Sequence, residues 1–185
     1  EMTGPRALEF PYGAFISAGS YAYFPAQEYF DASTPSGLGP PEISIWRSDG
    51  TPAGTWRIGA GFSLNTFYSS IVHNGLLYMD VVDRRFGEEI FVSNGSAGNW
   101  SLLRDIAPGV VTRSSTPSPG WFIDAQHYFG AQNEIGQSTV WHTDGTSGGT
   151  MPVDTGGVAF GGSEALLGRR IIHGGSDGAG GFEPR

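Results

Sequence analysis

The chain contains no cysteine and no lysine. The first absence excludes disulfides, thiolate metal sites and cysteine nucleophiles together, and leaves oxidising and reducing surroundings equally open. The second means that all ten cationic side chains are arginine, set against 18 acidic residues for a net charge of −8. Binding to nucleic acid or to an anionic membrane surface needs clustered positive charge that releases counterions. The only basic doublets, Arg84-Arg85 and Arg169-Arg170, read as stems lying along strand ends with their heads in water. Nucleic acid is therefore disfavoured, and none is expected as a partner. No apolar run approaches the ~20 residues that a membrane-spanning helix needs. Helical periodicity is missing as well, because Gly or Pro interrupts nearly every window.

What the chain does have is turns and aromatic rings. Thirty Gly and twelve Pro would suggest disorder on their own, but twelve Phe, seven Tyr and five Trp supply a core that disordered chains lack. Many turns with many aromatics read as an all-β fold.

One hairpin pattern occurs three times. Ile45-Trp46-Arg47-Ser48-Asp49-Gly50-Thr51-Pro52-Ala53-Gly54-Thr55 is the first copy and Ile90-Phe91-Val92-Ser93-Asn94-Gly95-Ser96-Ala97-Gly98-Asn99 the second. Val140-Trp141-His142-Thr143-Asp144-Gly145-Thr146-Ser147-Gly148-Gly149-Thr150 is the third. The aromatic anchors Trp46, Phe91 and Trp141 recur 45 and 50 residues apart, a period that signals an array of similar supersecondary units. Before each hairpin lies an apolar run: Ala22-Tyr23-Phe24, Leu77-Tyr78-Met79 and His127-Tyr128-Phe129, with Arg170-Ile171-Ile172-His173 as a weaker fourth. Asn74-Gly75 is a two-residue hairpin signal, since both residues accept the positive φ of a type I′ turn. Asp49, Asn94 and Asp144 are expected to serve the turns, with the anchors burying about 150–250 Å² each between neighbouring sheets.

Four short antiparallel strands per unit make one blade of a β-propeller. The expected units are 14–58, 59–106, 107–154 and 155–185, forming one domain of about four four-stranded blades. The chain stops near Phe182, where a fourth anchor would begin. Either residues 1–13 complete the last blade and close a small ring, or the array is larger. Ring closure would remove an exposed sheet edge.

The repeated pattern resembles the E-L-W-x-S-D-G-T-x-x-G-T-x-x-V-x-D-I-x-P-G repeat of bacterial secreted and surface proteins, sometimes termed hyalin-like. The best matches are residues 46–55, 141–150 and Leu103-Arg104-Asp105-Ile106-Ala107-Pro108-Gly109. The family's D-G-x-x-G-x-E link is echoed by Asp83 to Glu89 and Asp177 to Glu183. Phe91 for Trp, Asn94 for Asp, a one-residue deletion in the second hairpin and an insertion from Gln27 to Pro41 depart from the pattern. The resemblance implies an extracellular or envelope β-propeller array with no established common activity. The start at Glu1 is read as the trace of a removed upstream segment, a cleaved secretory signal being one source and trimming of the chain another.

Apparent catalytic patterns in the chain compete with turn chemistry. Gly145-Thr146-Ser147-Gly148-Gly149 fits G-x-S-x-G, but that motif works on a strand-to-helix elbow and here falls inside a hairpin. A sialidase-like site needs converging arginines and a Tyr–Glu pair that no spacing supplies. Non-catalytic is the expectation. Asp83, Glu89, Asp177 and Glu183 offer oxygen ligands on turns and are candidate calcium ligands, with turn carboxylates bonding local N–H groups as the alternative. No other cofactor is expected. The four His residues share no metal-like spacing, and His127 and His173 read as pore-facing or surface side chains. The insertion, with Tyr29, Phe30, Pro35, Pro40 and Pro41, is the candidate binding loop, because long loops on a regular frame are where recognition resides. The expected role is protein–protein assembly or surface attachment with other protein subunits. The alternative is a lectin-like propeller that binds surface glycans through aromatic rings between blades.

Overall fold

The structure is a computed structural model that describes residues 7–9, 15–29, 42–62, 70–83, 85–108, 115–117, 120–154, 164–176 and 182–184. Among the described residues every regular element is a strand. No helix among them is long and apolar enough to cross a membrane.

The strands follow the chain as consecutive antiparallel meanders. After β1 (Ala7–Glu9), the first sheet is built from β2 (Ile16–Ala18), β3 (Tyr21–Tyr29), β4 (Glu42–Ser48) and β5 (Trp56–Phe62). The second contains β6 (Ser70–His73), β7 (Leu76–Asp83), β8 (Gly87–Ser93) and β9 (Ser101–Leu102). The third contains β10 (Trp121–Ile123), β11 (Gln126–Gln132), β12 (Ser138–Thr143) and β13 (Met151–Val153). A fourth has three strands, β14 (Glu164–Leu167), β15 (Arg170–Ser176) and β16 (Phe182–Pro184). One bridge, Phe62 to Asp83, joins the first two sheets at their edges. The tight turn before each second strand begins with a positive φ, at Gly19 (68°), Asn74 (50°), Asp124 (56°) and Gly168 (63°). Only Gly, Asn and Asp adopt that region cheaply, which is why these types stand there.

Two strand pairings bear on the approximate unit boundaries. β5 runs on to Phe62, past the unit boundary expected at residue 58. Ala7–Glu9, expected as part of the segment completing the last blade, pairs instead with Tyr29–Gln27 of the first sheet. The cause is length: β3 has nine residues and β2 only three, so the far half of β3 would otherwise present unpaired backbone groups. Among the described residues no sheet closes on itself and the fourth keeps three strands.

The sheets are held by two apolar layers. The first joins Tyr23, Ile43, Ile45 and Ile58 of the first sheet to Leu77, Met79, Val81 and Phe91 of the second. The second joins Tyr78, Ile90, Val92, Leu103 and Ile106 to Phe129, Ala131 and Trp141 of the third. β7 and β8 are therefore buried on both faces, odd positions of β7 turning to the first sheet and Tyr78 to the third. Period-two alternation sends neighbouring apolar residues into different layers. Phe91 stacks on Trp100 with centroids 4.5 Å apart, and Trp141 donates its indole N–H to the Thr139 hydroxyl at 2.8 Å. Trp46, the third expected anchor, lies half-buried opposite Phe24 on the first sheet.

Candidate functional site

The three hairpin turns form the most regularly built feature of the molecule. In the first, the Asp49 carboxylate accepts from the Thr51 N–H at 2.9 Å and the Thr51 hydroxyl at 2.7 Å. The Thr51 hydroxyl oxygen accepts from the Gly54 N–H at 3.0 Å. The Ser48 hydroxyl accepts from the Gly50 N–H at 3.0 Å and lies 2.6 Å from the Thr55 hydroxyl, which donates to the Thr51 carbonyl. The third turn repeats this bond for bond through Thr143, Asp144, Gly145, Thr146, Gly149 and Thr150. Hydrogen bonds from Thr51, hydroxyl first and then N–H, hold the Asp49 carboxyl below the usual range, and Thr146 does the same for Asp144.

The second turn has one residue fewer and solves the same accounting differently. Asn94 still caps Ser96 at 3.0 Å and Ser93 still accepts from the Gly95 N–H at 2.9 Å. Asn99 takes over the closing role, its side-chain oxygen accepting from the Asn94 N–H at 3.1 Å and its carbonyl accepting from the Ser93 hydroxyl.

The glycine that ends each full turn is there for room. A Cβ on Gly54 would overlap the Asp49 carboxylate, and one on Gly149 the Asp144 carboxylate, whereas Gly148 faces open space. Gly149→Ala should therefore eject the Asp144 side chain and lower Tm by about 5 °C, with Gly148→Ala staying within about 2 °C of the parent. Differential scanning fluorimetry of the pair checks this.

The second and third turns also dock on the sheet before them. The Gly95 carbonyl accepts from the Trp56 indole N–H at 2.9 Å and from Arg47 at 3.3 Å. Arg47 lies over the Tyr21 ring at 3.4 Å and the Trp56 ring at 4.3 Å, and a Cβ on Gly95 would overlap the Tyr23 hydroxyl. At the next joint Gly145 sits against Leu76 and Tyr78 of the second sheet, and Arg104 donates to the Thr150 carbonyl at 3.0 Å. Tyr23 and Tyr78 occupy equivalent positions, each third in its strand after the tight turn, and both are 3% exposed. The sequence marked these tyrosines as strand residues but missed their role as seats for a turn; their recurrence one unit before each docked Gly was the available signal.

Of the candidate calcium ligands, the two whose side chains are described, Asp83 and Glu89, are each bonded by neighbouring protein groups. Asp83 is almost fully buried, and its carboxylate accepts from the Arg85 N–H at 2.7 Å and from the guanidinium at 3.1 Å twice. Burial alone would raise its pKa, but these bonds hold it below the carboxylate range. Glu89, fully buried, accepts from the Ser115 hydroxyl at 2.7 Å and from the Ile106 and Ala107 N–H groups at 3.3 Å each. Burial, against those bonds, pushes it up to about 7. Ser115 in turn donates to Glu88 O at 2.9 Å and accepts from Gln132 N–H at 2.7 Å, so Glu89 helps tie the chain between the second and third sheets. Asp177 lies outside the described residues, and Glu183 is placed through its backbone on β16. Among the described residues no group of three or more His, Asp or Glu could hold a metal ion.

Two buried groups were not anticipated. Asp80 is 8% exposed with one carboxylate oxygen lacking a partner, and burial with the nearby Glu88 and Glu89 pushes it up to about 8. His127, expected at a surface or pore, is 2% exposed; it stacks on Phe122 at 4.5 Å and meets Tyr78 edge-on at 5.1 Å. Neither of its ring nitrogens has a partner, and burial lowers its pKa to about 4.

In the G-x-S-x-G stretch, Ser147 contributes its carbonyl to the turn, accepting from Thr150 N–H, while His142 pairs with Gln126 at 2.8 Å. Of the candidate binding loop, Tyr29 is placed through its backbone opposite Ala7, and Phe30, Pro35, Pro40 and Pro41 lie outside the described residues. No protein-family model, no curated protein and no solved structure matches this chain.

Proposed function

We propose that the chain is a non-catalytic β-propeller module, of the kind the hyalin-like repeats of secreted and surface proteins suggest, acting in protein–protein assembly or surface attachment outside the cell or in its envelope. One observation carries this reading. The distinctive polar residues of the repeat bond to their own turn, and the second and third turns seat on the neighbouring sheet. Chemistry that recurs identically in two turns and is consumed internally suits a scaffold. The packing of sheet on sheet in chain order, with the middle sheet covered on both faces, is the arrangement a propeller extends around an axis.

The rings between sheets weigh against the lectin alternative. Phe91, Trp100 and Trp141 are spent on one another and on neighbouring side chains, leaving less flat aromatic surface for a sugar to stack on. The test is a glycan array run beside a protein-interaction measurement on the same immobilised chain. Silence on the array with saturable binding of a protein subunit is the expected result. Saturable sugar binding that is lost when Tyr29 and Phe30 are both changed to Ser overturns it.

A further inference from the structure

The joint between units has two halves, a turn and the seat on a sheet that receives it. A seat is a row of three residues across a sheet: Tyr23, Arg47 and Trp56 in the first unit, Tyr128, His142 and Met151 in the third, matched by strand register. The first seat holds Gly95 and the second holds Gly145. At the third, Tyr128 is half-buried where its two counterparts are closed over, and Met151 is 45% exposed. At the other end, Gly50 is exposed with open space around it among the described residues, whereas Gly95 is buried.

The free turn matches what the seats accept. Gly50 and Gly145 have φ of 90° and 92°, and the hydrogen bonds of their turns are the same set. Resting on the assembly reading above, we propose that the hairpin at Asp49–Gly50 of one copy docks on the Tyr128–His142–Met151 seat of a second copy. The two surfaces are different and lie on different units, so the contact is head-to-tail and propagates from copy to copy. The occupant is specified by continuity with the joints inside the chain: a Gly at positive φ, in a turn closed by its own hydrogen bonds, set against a Tyr-bearing sheet.

Sedimentation velocity on the full chain over a wide concentration range tests this. The parent should show mass rising with concentration. Gly50→Asn alters the turn tip with a residue that tolerates positive φ, and Met151→Glu places a charge in the seat. Each variant alone should associate at least tenfold more weakly, with near-ultraviolet circular dichroism confirming an unchanged fold. An equimolar mixture of the two should stop at a dimer, because each supplies the half the other lacks. A parent that stays monomeric throughout, or variants that associate like the parent, overturns the proposal. If the parent is monomeric yet binds another protein subunit, the assembly reading stands and only the self-docking fails; sugar binding on the array sinks the reading itself.

Discussion

Raising the pH from 6.5 to 8 should destabilise this protein, and Asp80→Asn should remove most of the effect. Asp80 is raised from 3.8 to about 8 and Glu89 from 4.5 to about 7, both chiefly by burial. A carboxyl whose folded pKa lies above its unfolded value contributes stability that is complete below the unfolded value and lost as pH climbs through the folded one. His127 runs the opposite way: its folded pKa is about 4 against 6.5, so its contribution is complete above 6.5 and lost as pH falls through 4. Between about 4 and 6.5 the two trends oppose each other; above 6.5 only the carboxyls act. That window isolates them.

Asp80 faces Glu88 and Glu89 and has an oxygen with no partner, so ionising it places an uncompensated charge in a dry site. Asn fills the same space without that charge. At pH 8 the variant should melt about 5–10 °C above the parent, equivalent to ~2–3 kcal/mol. At pH 5, where the Asp is protonated, the two should nearly coincide. Equal Tm differences at both pH values would show that Asp80 does not titrate as its surroundings dictate.

Tyr78→Ala is expected to cost about 3–5 kcal/mol and to split unfolding into two transitions. The ring lies in the layer between the second and third sheets, edge-on to His127 at 5.1 Å and tilted against Phe122 at 5.6 Å. Its hydroxyl also stands beside Gly145, so truncation removes packing and the turn's seat together. The first two sheets keep their own layer, led by Leu77, Met79 and Phe91, and should remain folded to higher urea. Tyr78→Phe keeps the packing and loses only the hydroxyl, a change worth about 1 kcal/mol. Urea melts followed by tryptophan fluorescence and by far-ultraviolet circular dichroism separate the transitions. A single coincident transition in Tyr78→Ala would mean that the layers are not independent.

What could be read in advance was the chemistry that is local in the chain. Asn74-Gly75 announced its turn, and Asp49 through Thr55 announced a closed hairpin, because every bond in them spans a few residues. The strand order followed, since a meander needs only neighbours. Long-range pairing did not follow: nothing in Ala7–Glu9 says that β3 is long enough to need it. Glu89 reads as a cation ligand or as a turn carboxylate bonding local N–H groups, because its spacing from Asp83 suggests a turn. Only the later segment with Ile106, Ala107 and Ser115, folding over β8, turns Glu89 inward. His127 was misjudged for the same reason, its neighbours Phe122 and Tyr78 coming from other strands and another sheet.

Where Trp56 and Arg47 grip the second turn, they grip a main-chain oxygen. Recognition of that sort is indifferent to most side chains at the tip, so gene duplication can add or delete whole units without redesigning the contact. A lineage carrying such joints would vary in unit number more readily than in the Tyr and Gly that meet there.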